Sequence, residues 1–270
     1  MGKTVILGCY RFIGIHLCKY LLEKGEDVVG MDWLSDEFLE EQEEKRYSFG
    51  RNANFIFRNL DDLPPLSIEN ATVCIPFHDF LSIDSQEYKL ENASYERLIE
   101  QTKCFSSSRF FCFVPIQMQE RQEWVSRLQQ DLSNLTIILT PTILGSWQRK
   151  EDYFQKLLFM KHQPQDFPSR TFMNSDAVFV DDLIKDWEKL QKVNDKILYV
   201  KPPQDHQLVE YVKLIFENDT DHLPQIHYLD NQPRYERLWI LSNATPPAAG
   251  LDNQIKHNKY LSTIGEWKRR

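Results

Sequence analysis

Short apolar runs rich in β-branched and aromatic residues alternate along the first half of the chain with stretches of helical spacing. Residues 4–7 (TVIL) form the first run. Over residues 12–24, Ile13, Leu17 and Leu21 recur at helical spacing with Ile15 and Leu22 beside them, and Gly25 is a natural helix stop. Residues 27–31 form a second run that Asp32 closes, and residues 36–46 (DEFLEEQEEKR) predict an acidic helix with a solvated face. Runs at 54–58, 71–75, 109–114 and 136–140 predict the third to sixth strands. Helices are predicted over 92–105 and 119–132, the second with Trp124, Leu128 and Leu132 on one side. This alternation predicts an α/β fold, a doubly wound parallel sheet with helices on both faces and strand order 3-2-1-4-5-6.

After Gly145 the rhythm changes. Helices are predicted over 153–162, 181–192, 207–217 and 251–261, and short strands over 178–180 and 196–200. The expected organisation is a Rossmann-like dinucleotide-binding domain over residues 1–170 and a smaller mixed, substrate-type lobe over 171–270, the two interleaving after Gly145.

Charge and composition narrow the function classes. A net charge of −8 and a pI near 5.4 argue against a nucleic-acid footprint. No run of 18 or more apolar residues predicts a membrane span, and Arg11, His16 and Lys19 break up the early apolar stretch, so neither a signal peptide nor a membrane partner is expected. The five cysteines (Cys9, Cys18, Cys74, Cys104, Cys112) include no C-x-x-C pair and read as reduced thiols of a cytoplasmic protein. His222 and His227 lack a third ligand nearby, so no metal site is expected.

The candidate chemistry begins at the first turn. Residues 8–14 (GCYRFIG) sit between a strand and a helix, the place of a G-x-x-G-x-x-G phosphate loop, but the middle glycine is Arg11. Two readings stand. Gly8 makes the turn and Gly14 lets helix pack on strand, with a pyrophosphate at the helix N-terminus; or both are structural remnants of the fold. Arg11 puts a Cβ where backbone normally meets phosphate, and either obstructs the site or turns its guanidinium to the phosphate. Asp32 fits a carboxylate that accepts from an adenosine ribose, favouring NAD over NADP, or an exposed strand-end residue. His78, after the fourth strand, is either a substitute base or a loop histidine. Asp181 and Asp182 read as a helix N-cap rather than an acid/base pair.

In order and spacing these segments resemble the extended short-chain dehydrogenase/reductases, the NAD-dependent epimerase/dehydratase group. GCYRFIGIHL (8–17) is similar to the family's glycine loop, placing Tyr10, Phe12 and Ile13 with Gly8, Arg11 and Gly14 against the cofactor. VVGMDWLSD (28–36) is similar to its second strand and acidic cap. RNLDD (58–62) is similar to its G-D-L-x-D segment, which implies that Asp61 reaches the adenine. Asn92, TIILTPTILG (136–145), VFVDDL (178–183) and PPAAGLDNQI (246–255) match further family segments, with Thr140 standing for an Arg. The resemblance implies NAD as cofactor, a nucleotide-sugar-like small-molecule partner and a homodimer formed through the helices after the fourth and fifth strands.

The departures concern catalysis. The family places Y-x-x-x-K on the helix after the fifth strand, where the ammonium lowers the phenol pKa. That helix here has neither residue, and the chain's only Y-x-x-x-K is Tyr20–Lys24 on the first helix. The expectation is a pseudoenzyme that binds a dinucleotide or related metabolite in a sensing or scaffolding role. The alternatives are an NAD-dependent oxidoreductase or epimerase using His78 as base, and a protein-interaction module whose cleft Arg11 and Tyr10 close.

Overall fold

The computed structural model describes residues 3–34, 39–49, 51–62, 68–84, 87–89, 92–105, 107–120, 122–160, 171–216, 226–229 and 233–263. The first half runs β1 (Thr4–Leu7), α1 (Phe12–Glu23), β2 (Val28–Asp32), α2 (Leu39–Phe49), β3 (Phe55–Asn59) and β4 (Thr72–Ile75). A 3-10 turn (Phe77–Phe80) and a hairpin of β5 (Ser82–Asp84) and β6 (Glu87–Lys89) lead to α3 (Asn92–Thr102), β7 (Arg109–Pro115), a further 3-10 segment (Ile116–Glu120), α4 (Gln122–Asp131) and β8 (Leu135–Thr140). The second half runs β9 (Thr142–Leu144), α5 (Tyr153–Met160), β10 (Thr171–Asn174), β11 (Ala177–Phe179), α6 (Val180–Lys185), α7 (Trp187–Leu190), β12 (Ile197–Lys201), α8 (Gln207–Ile215), β13 (Ile226–Leu229), β14 (Arg237–Ile240) and α9 (Pro247–Thr263).

Eight parallel strands form one sheet in the order β14-β12-β8-β7-β4-β1-β2-β3. The six strands of the first half keep the expected doubly wound order, and β12 and β14 extend the sheet beyond β8. β1 lies between β2 and β4, with Thr4 opposite both Val28 and Thr72. Its four side chains are all buried, as both faces of a parallel sheet demand. Val5, Leu7, Val73 and Ile75 face α3 and α4, where Tyr95, Leu98, Leu128 and Leu132 pack. Ile6, Cys74, Phe111 and Phe113 face α1, α6 and Trp187. Each fully buried side chain of this size contributes ~1.5–3 kcal/mol. Trp124, partly buried, packs against the first of these layers, edge-on to Tyr95 at 5.2 Å.

A third core joins β9, β11, α5, α8 and α9 through Leu144, Phe154, Leu157, Phe179, Tyr211 and Leu251. A buried glutamine network ties α9 to it. Gln254 accepts from the Gly145 N–H at 3.2 Å and donates to Gln148 and Gln155 at 2.6 Å each.

Two expectations are corrected here. The helix predicted over 181–192 is two helices broken at Asp186, whose carboxylate accepts from Trp239 Nε1 at 3.0 Å and from the Ser242 N–H at 2.9 Å. Asp181 and Asp182 do not cap α6, because Phe179 holds the N-cap position. They brace the chain instead: Asp181 meets His16 of α1 at 2.7 Å and Asp182 accepts from the Thr245 N–H at 2.5 Å.

His257 of α9 packs edge-on to Trp147 at 4.5 Å. Burial first, then the neighbouring His16, Lys45 and Lys19 side chains against the opposing Glu41, press its pKa down from 6.5 to about 4. As pH falls below 6.5 the unfolded chain takes up a proton that the folded chain refuses, so stability drops until pH reaches about 4. We expect a loss of ~3 kcal/mol between pH 7 and pH 4 that His257→Phe removes, read by urea unfolding. Equal pH slopes in the two proteins would refute the assignment.

Candidate cofactor cleft

The cleft forms where β1 hands over to α1. Gly8 turns the chain at φ +88°, a conformation that favours glycine. The Gly8 and Cys9 N–H groups donate to the Met31 carbonyl at 2.6 and 3.2 Å, and the Arg11 N–H donates to the Gly8 carbonyl at 3.0 Å. Gly14 lies against that turn so closely that a Cβ would stand 1.9 Å from the Gly8 carbonyl oxygen. Phe12 and Ile13 are buried beneath it, and Tyr10 fills the gap between β3 and α2, its ring 5.1 Å from Phe57 and 6.2 Å from Phe49.

Asp32, at 0 % exposure, faces inward. One carboxylate oxygen accepts from the Tyr10 N–H at 3.0 Å and the other from the Trp33 N–H at 2.9 Å. Arg11 Nε stands 3.4 Å from the second oxygen. Burial raises the Asp32 carboxyl above its ordinary range although Arg11 and both N–H groups pull it down. The exposed strand-end reading is therefore corrected: β2 delivers Asp32 beneath the glycine turn, where each of its oxygens accepts one backbone N–H.

Helix α1 has no capping side chain of its own, because Arg11 holds the N-cap position. Asp79, 66 residues further along, supplies the cap: its carboxylate accepts from the Ile13 N–H at 2.8 Å. Arg11 then folds over the same turn. It donates to the Asp79 carbonyl at 3.2 Å, and its guanidinium lies 4.1 Å from the centre of the Phe80 ring. That ring packs on the glycine turn, 2.9 Å from where a Gly8 Cβ would stand. Arg149 closes the far side, donating to the Leu81 carbonyl at 2.6 Å and the Asp79 carbonyl at 3.3 Å while gripping Asp152 at 2.7 Å.

The remaining candidates spread out. Asp61 pairs with Arg97 at the exposed end of β3, and Arg97 stacks on Trp33 at 4.8 Å. His78 is 2 % exposed, within the 3-10 turn, with Nδ1 3.7 Å from Asp79. Tyr20 and Lys24 both bind Glu188, at 3.0 and 3.4 Å, on the outer side of α1. His222 lies outside the described residues, as does the side chain of His227. Asp79, Phe80 and Arg149 are the residues that sequence reasoning missed. The signal lay in HDF (78–80), an acid and an aromatic after a buried strand, opposite a helix with no capping residue of its own.

A dinucleotide's diphosphate needs free N–H groups at the start of α1 and bare backbone at the glycine turn. Asp79 takes one of these groups, the Ile13 N–H, and sets a like charge there, while Phe80 with Arg11 covers the turn, so in this arrangement the residues do not fit that group.

No family model matches the sequence. The chain is 25 % identical over 154 residues to the uncharacterized protein YjaV of Bacillus subtilis (strain 168), across 56 % of this chain and 68 % of that protein. UDP-glucuronic acid 4-epimerase from Bacillus cereus, solved with UDP-glucuronic acid and NAD, superposes with a TM-score of 0.61 at 15 % identity, covering 96 % of this chain and 99 % of that one. WbmH of Bordetella bronchiseptica, solved with NAD+, gives 0.60 at 15 % identity over 96 % and 99 % of the two chains. dTDP-glucose 4,6-dehydratase from Bacillus anthracis str. Ames, in complex with NAD, gives 0.58 at 11 % identity over 96 % and 97 %. The chain thus has the fold of the NAD-dependent sugar-nucleotide epimerases and dehydratases. Among the described residues no helix is long and apolar enough to cross a membrane.

Proposed function

We propose that this protein is a non-catalytic member of the epimerase/dehydratase fold, a dinucleotide- or metabolite-responsive scaffold rather than an enzyme acting on a nucleotide sugar. The observation that carries this reading is α4. It follows β7 in the position that holds Tyr-x-x-x-Lys in the family this chain resembles, and its sequence QEWVSRLQQD has neither residue. Without a phenolate to take the hydroxyl proton and an ammonium to lower its pKa, the family's hydride chemistry loses its base. A positioned general base is worth ~10²–10⁴-fold in rate.

His78 does not replace it on this reading. A base must meet the substrate within hydrogen-bond reach, and His78, within the Phe77–Phe80 turn, is buried at 2 % exposure. The test incubates the protein with NAD+ and a nucleotide-sugar panel led by UDP-glucuronic acid, beside His78→Ala. Both proteins are expected to match the buffer background. Turnover by the wild type overturns the non-catalytic reading, and a drop of ~100-fold or more in His78→Ala would identify His78 as the base.

A further inference from the structure

We propose that the Phe77–Phe80 turn is a built-in occupant of the diphosphate cradle, so that a dinucleotide gains the cleft only when this turn leaves it. The inference rests on the reading above in one respect, that the cleft serves binding rather than turnover. It is carried by three contacts that converge on four residues. The Asp79 carboxylate takes the Ile13 N–H at the start of α1, the place and charge of a bound phosphate. Phe80 sets its ring against the glycine turn beside the Arg11 guanidinium, the place of the close backbone approach. Arg11 and Arg149 both donate to the Asp79 carbonyl, at 3.2 and 3.3 Å.

The parts are matched in charge. An anion-binding helix terminus and two arginines would attract a diphosphate strongly if they stood open. Here Asp79 supplies the anion at the helix, while Asp32 and Asp152 partner Arg11 and Arg149. Arg11 therefore has a use that a middle glycine lacks: it locks the turn. The Phe80 ring is held on its other side by Trp33, edge-on at 5.8 Å. Phe77 anchors the start of the turn in the core, its ring 5.9 Å from that of Tyr95. The Asp79 N–H closes the turn on the Pro76 carbonyl at 2.8 Å. Binding to such a site is weakened by the fraction of molecules that are open. A turn open in ~1 % of molecules weakens apparent affinity ~100-fold.

The experiment is calorimetric titration of NAD+ and of ADP into full-length wild type and into D79A/F80A, with far-UV circular dichroism and a thermal melt on each. The double variant is expected to bind NAD+ at least ~10-fold more tightly than wild type, with ADP following, because both share the diphosphate. A folded double variant that binds no more tightly than wild type overturns the proposal. So does wild type purified with stoichiometric NAD, which would leave the non-catalytic reading standing if no nucleotide sugar is turned over. If D79A/F80A does not fold, Asp79→Asn is read in its place. It removes the charge but keeps an oxygen for the Ile13 N–H, and a folded D79N with wild-type affinity overturns the proposal equally.

Discussion

Gly14→Ala is expected to lower the melting temperature by ~10 °C or more, because Gly14 is the tightest Cβ site among the described glycines. The new Cβ would stand 1.9 Å from the Gly8 carbonyl oxygen, 2.8 Å from its carbonyl carbon and 3.3 Å from the Cys9 Cα. All three are backbone atoms, so no side chain can swing aside. Relief requires α1 to lift from β1, and that uncovers Ile13, Leu17, Cys18 and Leu21, which pack on Ile6 and Cys74. A loss of ~4–5 kcal/mol falls in the exceptional range for one substitution. Gly25→Ala is the control. Gly25 has φ +76° but no atom within 4 Å of its Cβ position, so only the backbone term of ~1 kcal/mol applies. Thermal melts of the two variants separate the effects, and a Gly14→Ala melt within ~2 °C of wild type would refute the close packing.

This result bears on what the glycine turn means. Gly8 is held by φ and Gly14 by the approach of helix to strand, and both needs exist without any cofactor. A glycine retained at these two positions reports the βαβ packing. The position that reports phosphate is the middle one, and there the chain carries Arg11, whose side chain is engaged with Asp32, Asp79 and Phe80.

The sheet was legible because its signal is local. Each strand of the first half is a short apolar run, each helix an amphipathic stretch, and their alternation admits few topologies. The six predicted strands fall within a residue or two of β1, β2, β3, β4, β7 and β8. What was not legible is long-range. The break at Asp186 depends on Trp239 and Ser242, more than fifty residues later, and no periodicity encodes it. Asp181 and Asp182 carry a capping pattern, but Phe179 takes the cap and the carboxylates reach His16 and Thr245. The site was half legible for the same reason. Gly8, Arg11, Gly14 and Asp32 lie on one βαβ unit and their meeting follows from it. Asp79, Phe80 and Arg149 reach the same turn from other strands, and only the folded chain brings them there. Asp61 faces Arg97 on the surface, a pairing that joins β3's end to α3 and that no local pattern encodes.

Asp32→Ala is expected to destabilise the protein by ~2–4 kcal/mol, because the Tyr10 and Trp33 N–H groups lose their acceptor. A residue that only awaited a ribose would leave stability unchanged when truncated. Asp32 instead accepts from two backbone N–H groups and faces the Arg11 guanidinium with no solvent exposure. Its removal leaves the Tyr10 N–H unpaired in a buried turn and frees Arg11 from its carboxylate, so the glycine loop and the lock over it loosen together. The pH dependence gives a second, independent check. Burial holds the Asp32 carboxyl above its ordinary range, so the folded state binds its proton more tightly than the unfolded state does. Its contribution is therefore fully present below the unfolded pKa of about 3.9 and declines as pH rises through the raised folded value. The stability gap between wild type and Asp32→Ala, read by urea unfolding, should be wider at pH 4 than at pH 7. A gap of ~3 kcal/mol that narrows with rising pH marks Asp32 as the keystone of the closed turn; no gap at either pH returns it to the role of an open ribose acceptor.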